Sequence, residues 1–150
     1  MNFNYNDIAN AYNKAKENTF DNSPLPAGVY RVKVEKIELG ETKKAPVRPM
    51  GKIQFRIVEG PHKKQCLFWN KILVTNDKNG QLTAIGLANF DKFLNSLQPT
   101  FEVSFSKCKG FEDYKELLLD VAEDIEQLTY DVELTYNGDF PEYKVVEFYE

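Results

Sequence analysis

The sequence has few of the residues from which small catalytic and metal sites are built. It carries one histidine, His62, and two widely separated cysteines, Cys66 and Cys108, so a His/Cys zinc site has no ligand set. Two cysteines make no disulfide framework, and both are expected as reduced thiols. No Gly-Lys-Ser/Thr phosphate loop is present, no glycine-rich fingerprint follows a strand-like segment, and no serine or cysteine stands in a nucleophile-elbow setting. No apolar run approaches the roughly 18 residues a membrane helix needs. The opening residues, MNFNYNDIANAYNKAK, lack the basic start and apolar stretch of a secretion signal. The expectation is a non-enzymatic cytoplasmic protein with no cofactor, no metal and no membrane association.

What the chain does have is aromatic residues and an uneven distribution of charge. Aromatics make up 13% of its 150 residues, which argues for a packed core and against disorder. The formal charge of −4 conceals two opposed halves. Residues 29–75 hold 11 basic and 4 acidic side chains, whereas residues 76–150 hold 6 basic and 16 acidic ones. A basic working surface on the first half and an acidic one on the second is the functional reading of that split. Simple solvation of the surface is the bland one.

Hydrophobic periodicity orders the elements. A short helix is expected over Asp7 to Glu17, then a linker from Asn18 to Pro26 broken by two prolines. From Val29 the period is two, with Tyr30, Val32 and Val34 alternating with Arg31, Lys33 and Glu35. The apolar phase then slips to Ile37 and Leu39, which places a β-bulge near Glu35-Lys36. Gly40 to Gly51 reads as a basic loop. Ile53, Phe55 and Ile57 mark a second strand, Gln65 to Val74 a third, and Asn76 to Gly80 a turn. A helix follows with Leu87, Phe90, Leu94 and Leu97 on one face and Thr83 as N-cap. Tyr114, Leu118, Val121, Ile125 and Leu128 define another helix, and two strands joined at Asn137-Gly138-Asp139 close the chain. The expected fold is mainly β with α, in the order β-β-β-α-β-β. It reads as a five-stranded OB-fold barrel over residues 25–150, with two helices between strands three and four, and a helical extension over residues 1–24. An open α+β sheet with helices on one face is the alternative.

Within that frame the outward positions of the strands are Arg31, Lys33 and Arg56, and the turn after the second strand adds Lys63 and Lys64 beside His62. The loop between the first two strands adds Lys43, Lys44, Arg48 and Lys52. On the third strand the sequence allows two phases. Burying Phe68 and Ile72 leaves Trp69 and Lys71 outside, and that phase is adopted here. Phe140 and Tyr143 lie at the last hairpin. Cations that track phosphates together with aromatics that stack on bases are what single-strand binding requires, and stacking contributes roughly 1–3 kcal/mol per base. Burial of Trp69 and Phe140 in the core is the structural counter-reading. The carboxylates Asp113, Glu116, Asp120 and Asp124 share a helical face, which reads as a solvated acidic surface more readily than as a metal site.

Several segments resemble a phage protein family long grouped as of unknown function. Leu25-Pro26-Ala27-Gly28-Val29-Tyr30-Arg31-Val32 is similar to its "LPxGxYxVxI" opening, and Glu59 to Lys64 to its "GPxKGR" turn, with Lys64-Gln65 where that pattern has Gly-Arg. Asn89 to Leu97, Phe111 to Glu126 and the closing YNGDFPEYKVVEFYE are similar to its later segments. The resemblance spans about residues 24–150. It implies an OB-fold single-stranded-DNA-binding protein of phage replication and recombination in the host bacterial cytoplasm, as a monomer or small homo-oligomer. The acidic helix, through Glu116, Asp120, Glu123 and Asp124, would then dock phage or host replication and recombination proteins. A phage accessory module that binds proteins through its acidic C-terminal half is the alternative function. An OB-type RNA or oligosaccharide binder is a third.

Overall fold

A computed structural model describes residues 4–21 and 25–150. In chain order the elements are α1 (Tyr5–Asp21), β1 (Gly28–Glu41), β2 (Pro49–Ile57), β3 (Cys66–Ile72), a short hairpin of β4 (Thr75–Asn76) and β5 (Leu82–Thr83), α2 (Ile85–Ser96), a 3-10 turn over Phe105–Lys107, α3 (Phe111–Asp124), β6 (Thr129–Asn137) and β7 (Phe140–Tyr149). Five strands form one antiparallel sheet in the order β3-β2-β1-β6-β7, and β4 and β5 pair separately.

β1 serves two partners. Gly28 to Val32 pair with β6, and Val32 to Glu41 pair with β2. Its register with β2 shifts between Val34 and Lys36, leaving Glu35 outside the ladder at the position where the apolar phase slips. One extra residue bends the strand and increases its twist. Val34 and Ile37 thereby face the same side although they are three residues apart.

The inner face of the sheet carries Val32, Ile37, Ile53, Phe55, Ile57, Leu67, Tyr130, Val132 and Leu134, all buried. α2 covers it with Leu87, Phe90, Phe93 and Leu94, and α3 with Tyr114, Leu118 and Val121, so one core spans sheet and helices. Polar side chains tie down the chain between α2 and α3. The Asn95 carboxamide exchanges two hydrogen bonds with the Val103 backbone, at 2.8 and 2.9 Å. Asp91 accepts from the Phe105 amide at 2.9 Å and from the Tyr114 hydroxyl at 2.5 Å.

The expected closed OB-fold barrel is not what forms. Among the described residues no ladder joins the edge strands β3 and β7. The two edges approach, but Tyr143 is wedged between them. Its ring lies 5.8 Å from that of Phe55, and its hydroxyl donates to the Phe68 carbonyl at 3.2 Å. A side chain of that size occupies the space a backbone ladder would need. The architecture is an open antiparallel sheet with α2 and α3 on one face, and the alternative reading of the strand order describes it.

The elements also differ in placement. A hairpin and a 3-10 turn interrupt the expected strand-helix-helix order. The first basic loop is shorter than expected, because β1 runs to Glu41 and β2 starts at Pro49. Ala84, not Thr83, is the N-cap of α2, although the Thr83 hydroxyl accepts from the Ile85 amide at 3.4 Å. α1 starts two residues before the expected helix, with Asn4 accepting from the Asn6 amide at 2.8 Å, and continues four residues beyond it. It therefore takes in the first part of the expected linker, while 22–24 of that linker lie outside the described residues.

Two glycines in the interior record close approaches. A Cβ on Gly51 would lie 2.5 Å from the Phe90 ring, and one on Gly86 would lie 2.0 Å from the Ile72 carbonyl oxygen. The first turn of α2 thus rests directly on the backbone after β3, and the Leu87 amide donates to the Leu73 carbonyl at 2.9 Å. Gly86→Ala is expected to destabilise the protein by about 1–3 kcal/mol, the range for forced overpacking. Urea unfolding checks this, and an unchanged midpoint would mean the contact is not made.

Candidate nucleic-acid interface

The face of the sheet turned away from the helices is built from cross-strand rows. Lys33, Arg56 and Cys66 form one row, Lys36, Gln54 and Phe68 the next, then Glu38, Lys52 and Asn70, then Gly40, Met50 and Ile72. A shallow groove along it is lined by Lys36, Glu38, Lys52, Gln54, Phe68 and Asn70. Phe68 is 57% exposed and Ile72 41%. Lys52 lies across Gly40, which leaves space for it. Beyond β1 the same face turns acidic, with Asp131 and Glu133 on β6 and Glu142 and Glu147 on β7, relieved by Lys144.

The third strand has the opposite phase from the one adopted above. Leu67 and Leu73 are buried, and Trp69 shares their side, its ring stacked on Phe90 at 5.6 Å and against Phe93 at 4.5 Å. Lys71 has the same parity as these residues and so is also off the outer face. Phe68 is the aromatic that faces outward. β3 bears large apolar residues on both phases, so its own pattern does not decide. The unambiguous inward phase of β2, combined with two phenylalanines three apart on α2 that need an aromatic partner, is the signal that could have decided it.

The two strand arginines expected to meet phosphate are already committed. Arg56 donates from Nε and Nη2 to both Glu35 oxygens at 2.7 and 2.9 Å, and from Nη1 to the Lys64 carbonyl at 2.7 Å. Arg31 forms a bidentate pair with Asp131 at 2.9 and 3.2 Å, reaches Glu59 at 3.6 Å, and lies over the Tyr149 ring. Tyr149 in turn donates to Asp131 at 2.8 Å. These contacts hold the Asp131 carboxyl below the usual range, chiefly through the Arg31 hydrogen bond, and hold Glu35 below it through Arg56.

The lysines are differently placed. Lys33 is exposed on the outer face, and among the described residues Lys36 pairs with Glu38 alone, at 3.5 Å. Lys63 and Lys64 are exposed on the β2–β3 turn, where half-buried His62 packs edge-on against Tyr30 at 5.9 Å. Lys43 and Lys44 are exposed on the β1–β2 loop, while Arg48 there reaches the Val74 carbonyl at 3.4 Å. Phe140 is 75% exposed at the tip of the last hairpin. Tyr143 is the wedge, not a free stacking ring, and burial pushes its hydroxyl pKa up to about 12. The structure thus brings Lys33 and Lys52 onto one surface with Gln54 and with Lys36, Phe68 and Asn70, which sequence reasoning did not place there.

On α3, Glu116, Asp120, Glu123 and Asp124 are exposed on the side opposite the core. Asp124 is engaged, accepting from the Thr100 amide and hydroxyl at 2.6 and 2.8 Å. Among the described residues no three His, Cys, Asp or Glu side chains are grouped to hold a metal ion, and no helix is long and apolar enough to cross a membrane.

The chain belongs to the DUF669 family, described as proteins of unknown function. The family model matches residues 11–149, so it takes in most of α1 as well as the whole sheet, further toward the N-terminus than the motifs alone reach. No curated protein and no solved structure matches the chain.

The turn that departs from the motif has a physical cost. Lys64 has φ of 79°, the left-handed region that glycine adopts freely, and it stands where the resembling pattern has glycine. Lys64→Gly is expected to stabilise the protein by about 1 kcal/mol in urea unfolding. A loss of stability would mean that the Lys64 side chain contributes more than its backbone costs.

The pairs with Glu35 and Asp131 also give a pH dependence. A carboxyl whose pKa is lowered in the fold adds stability that is fully present above its unfolded value and is lost as pH falls through the folded value. Glu35→Gln and Asp131→Asn should each flatten the acid limb of a stability-against-pH curve and leave its slope near neutrality alone. Urea midpoints collected from about pH 2 to 7 check this.

Proposed function

We propose that this protein binds single-stranded DNA largely irrespective of sequence and protects it during phage replication and recombination. The observation that carries the reading is the exposed Phe68 ring on the β3 side of a groove that Lys36 and Lys52 line, with Lys33 one cross-strand row away. A ring beside a line of lysines stacks on a base while the ammonium groups follow the backbone, which tolerates any sequence because every base has a π-face. Stacking of this kind requires an unpaired base. The rows of this face belong to a sheet and not to a helix or two-stranded ribbon that enters a duplex groove.

Lys63 and Lys64 at one end, and Lys43 and Lys44 on the β1–β2 loop, extend the cationic path, and Phe140 offers a second ring. The acidic strands β6 and β7 limit the path on one side by repelling phosphate. Within this reading Glu116, Asp120 and Glu123 on α3 remain free to dock replication or recombination proteins, because they project away from the core on the helical side of the sheet. The motif resemblance to phage single-stranded-DNA-binding proteins supports the same assignment.

Fluorescence anisotropy of a labelled oligo-dT of about 16 nucleotides tests it. Phe68→Ala is expected to weaken binding about 5- to 100-fold. Replacing Lys33, Lys36 and Lys52 together by glutamine should reduce the salt slope by about 2, at roughly 0.7 per phosphate contact. Trp69→Phe should leave the slope unchanged. Folded protein that fails to bind at low salt would overturn the reading.

A further inference from the structure

Glu38 stands where a surface built only to follow phosphates has no use for a carboxylate. Two acids lie on the β1 side of the cationic face. Glu35 is accounted for, since both its oxygens hold Arg56. Glu38 is not. It lies directly across from Lys52 in the ladder, yet its one ionic contact among the described residues is Lys36 Nζ at 3.5 Å, and its side chain is 44% exposed on the wall of the groove.

The position of Glu38 relative to the stacking ring matters. Glu38 and Phe68 are two strands and one cross-strand row apart. With strands about 4.8 Å apart and rows about 6.8 Å apart, their Cα atoms are separated by about 12 Å. That span accommodates two side chains reaching toward each other with the edge of one base between them. A base lying on Phe68 has room to turn a hydrogen-bonding edge toward Glu38.

The groups around that edge are weighted toward acceptors. Glu38 contributes two carboxylate oxygens. Gln54 has one N–H committed to Cys66 Sγ at 3.3 Å, so it offers the groove its oxygen and one remaining N–H. Asn70 adds a second carboxamide on the opposite wall. Lys36 and Lys52 are donors, but as compact, strongly hydrated charges they match phosphate better than a base edge. An acceptor pairs with the exocyclic amino group of cytosine and opposes the carbonyl oxygen that thymine carries at the same ring position. The carboxylate thus attracts one base and penalises the other.

The geometry points to Glu38 as a specificity-determining residue, making the Phe68 position a single-nucleotide subsite that prefers a base with an exocyclic amino group, read as cytosine over thymine. The inference rests on the single-strand reading above. It adds one selective position to an otherwise tolerant groove.

Matched oligo-dC and oligo-dT test it, because they share phosphate number and flexible pyrimidine stacks and differ at the base edge. The wild-type protein is expected to bind oligo-dC about 3- to 10-fold more tightly. Glu38→Gln should bring that ratio close to 1, mainly by improving binding to oligo-dT. Lys36→Gln should weaken both oligomers alike and keep the ratio. If Glu38 served only to hold Lys36, both glutamine variants would shift the two affinities together. Equal wild-type affinities, or a preference that survives Glu38→Gln, would overturn the proposal. Binding to neither oligomer would instead remove the single-strand reading on which it stands.

Discussion

The unpaired residue in β1 is the constraint on which the outer face depends. Glu35 is skipped in the ladder with β2, and at that point the strand bends, after pairing with β6 at its start and before running on along β2. The same skip resets the side-chain parity. Lys33 and Lys36 both face outward, whereas an unbroken strand would send one of them into the core. It also leaves Glu35 free to reach Arg56, whose third donor anchors the Lys64 carbonyl in a left-handed turn. A single inserted residue therefore curves the sheet, aligns its lysines and fixes the turn at the end of the groove.

Arginine and lysine divide the work on this surface. The guanidinium groups of Arg31 and Arg56 are planar forks that match carboxylates bidentately, and both are used within the fold, joining strand to strand and strand to turn. The lysines carry mobile point charges and remain at the surface. The acidic side chains of β6 and β7 do not cancel them, because the two sets occupy different strands of the same face. A chain of net negative charge can in this way present a local positive field, and that field, more than the overall charge, governs what approaches the groove.

Much of this was legible in the sequence. The slip from Val34 to Ile37 marked the bulge, and the apolar spacing of both core helices gave their buried faces. Two things were not legible, for different reasons. Trp69 and Phe68 are neighbours on a strand with apolar residues on both phases, so only the pairing of Phe68 with Gln54 and the phenylalanines of α2 decide which ring is buried. The partners of Arg31 are equally hidden, since Asp131 lies 100 residues away in sequence. Barrel closure depends on whether two edges meet, and a side-chain pattern read along single strands carries no information about that.

The open edge bears on how the groove could work. β3 carries the exposed ring yet is an edge strand, supported by β2 on one side only. Its position is fixed from beneath instead. α2 rests on the backbone after Ile72 through Gly86, Trp69 anchors the strand among Phe90 and Phe93, and Tyr143 bridges to β7. Rigidity thus comes from the core side, while on the outer side Phe68 and Ile72 stay exposed. A ring held still while its surroundings stay open loses little conformational entropy when a planar ligand stacks on it. Turning Trp69 rather than Phe68 onto the core is consistent with that division, because the larger ring contributes more where it packs against Phe90 and Phe93 and the smaller one keeps an accessible face.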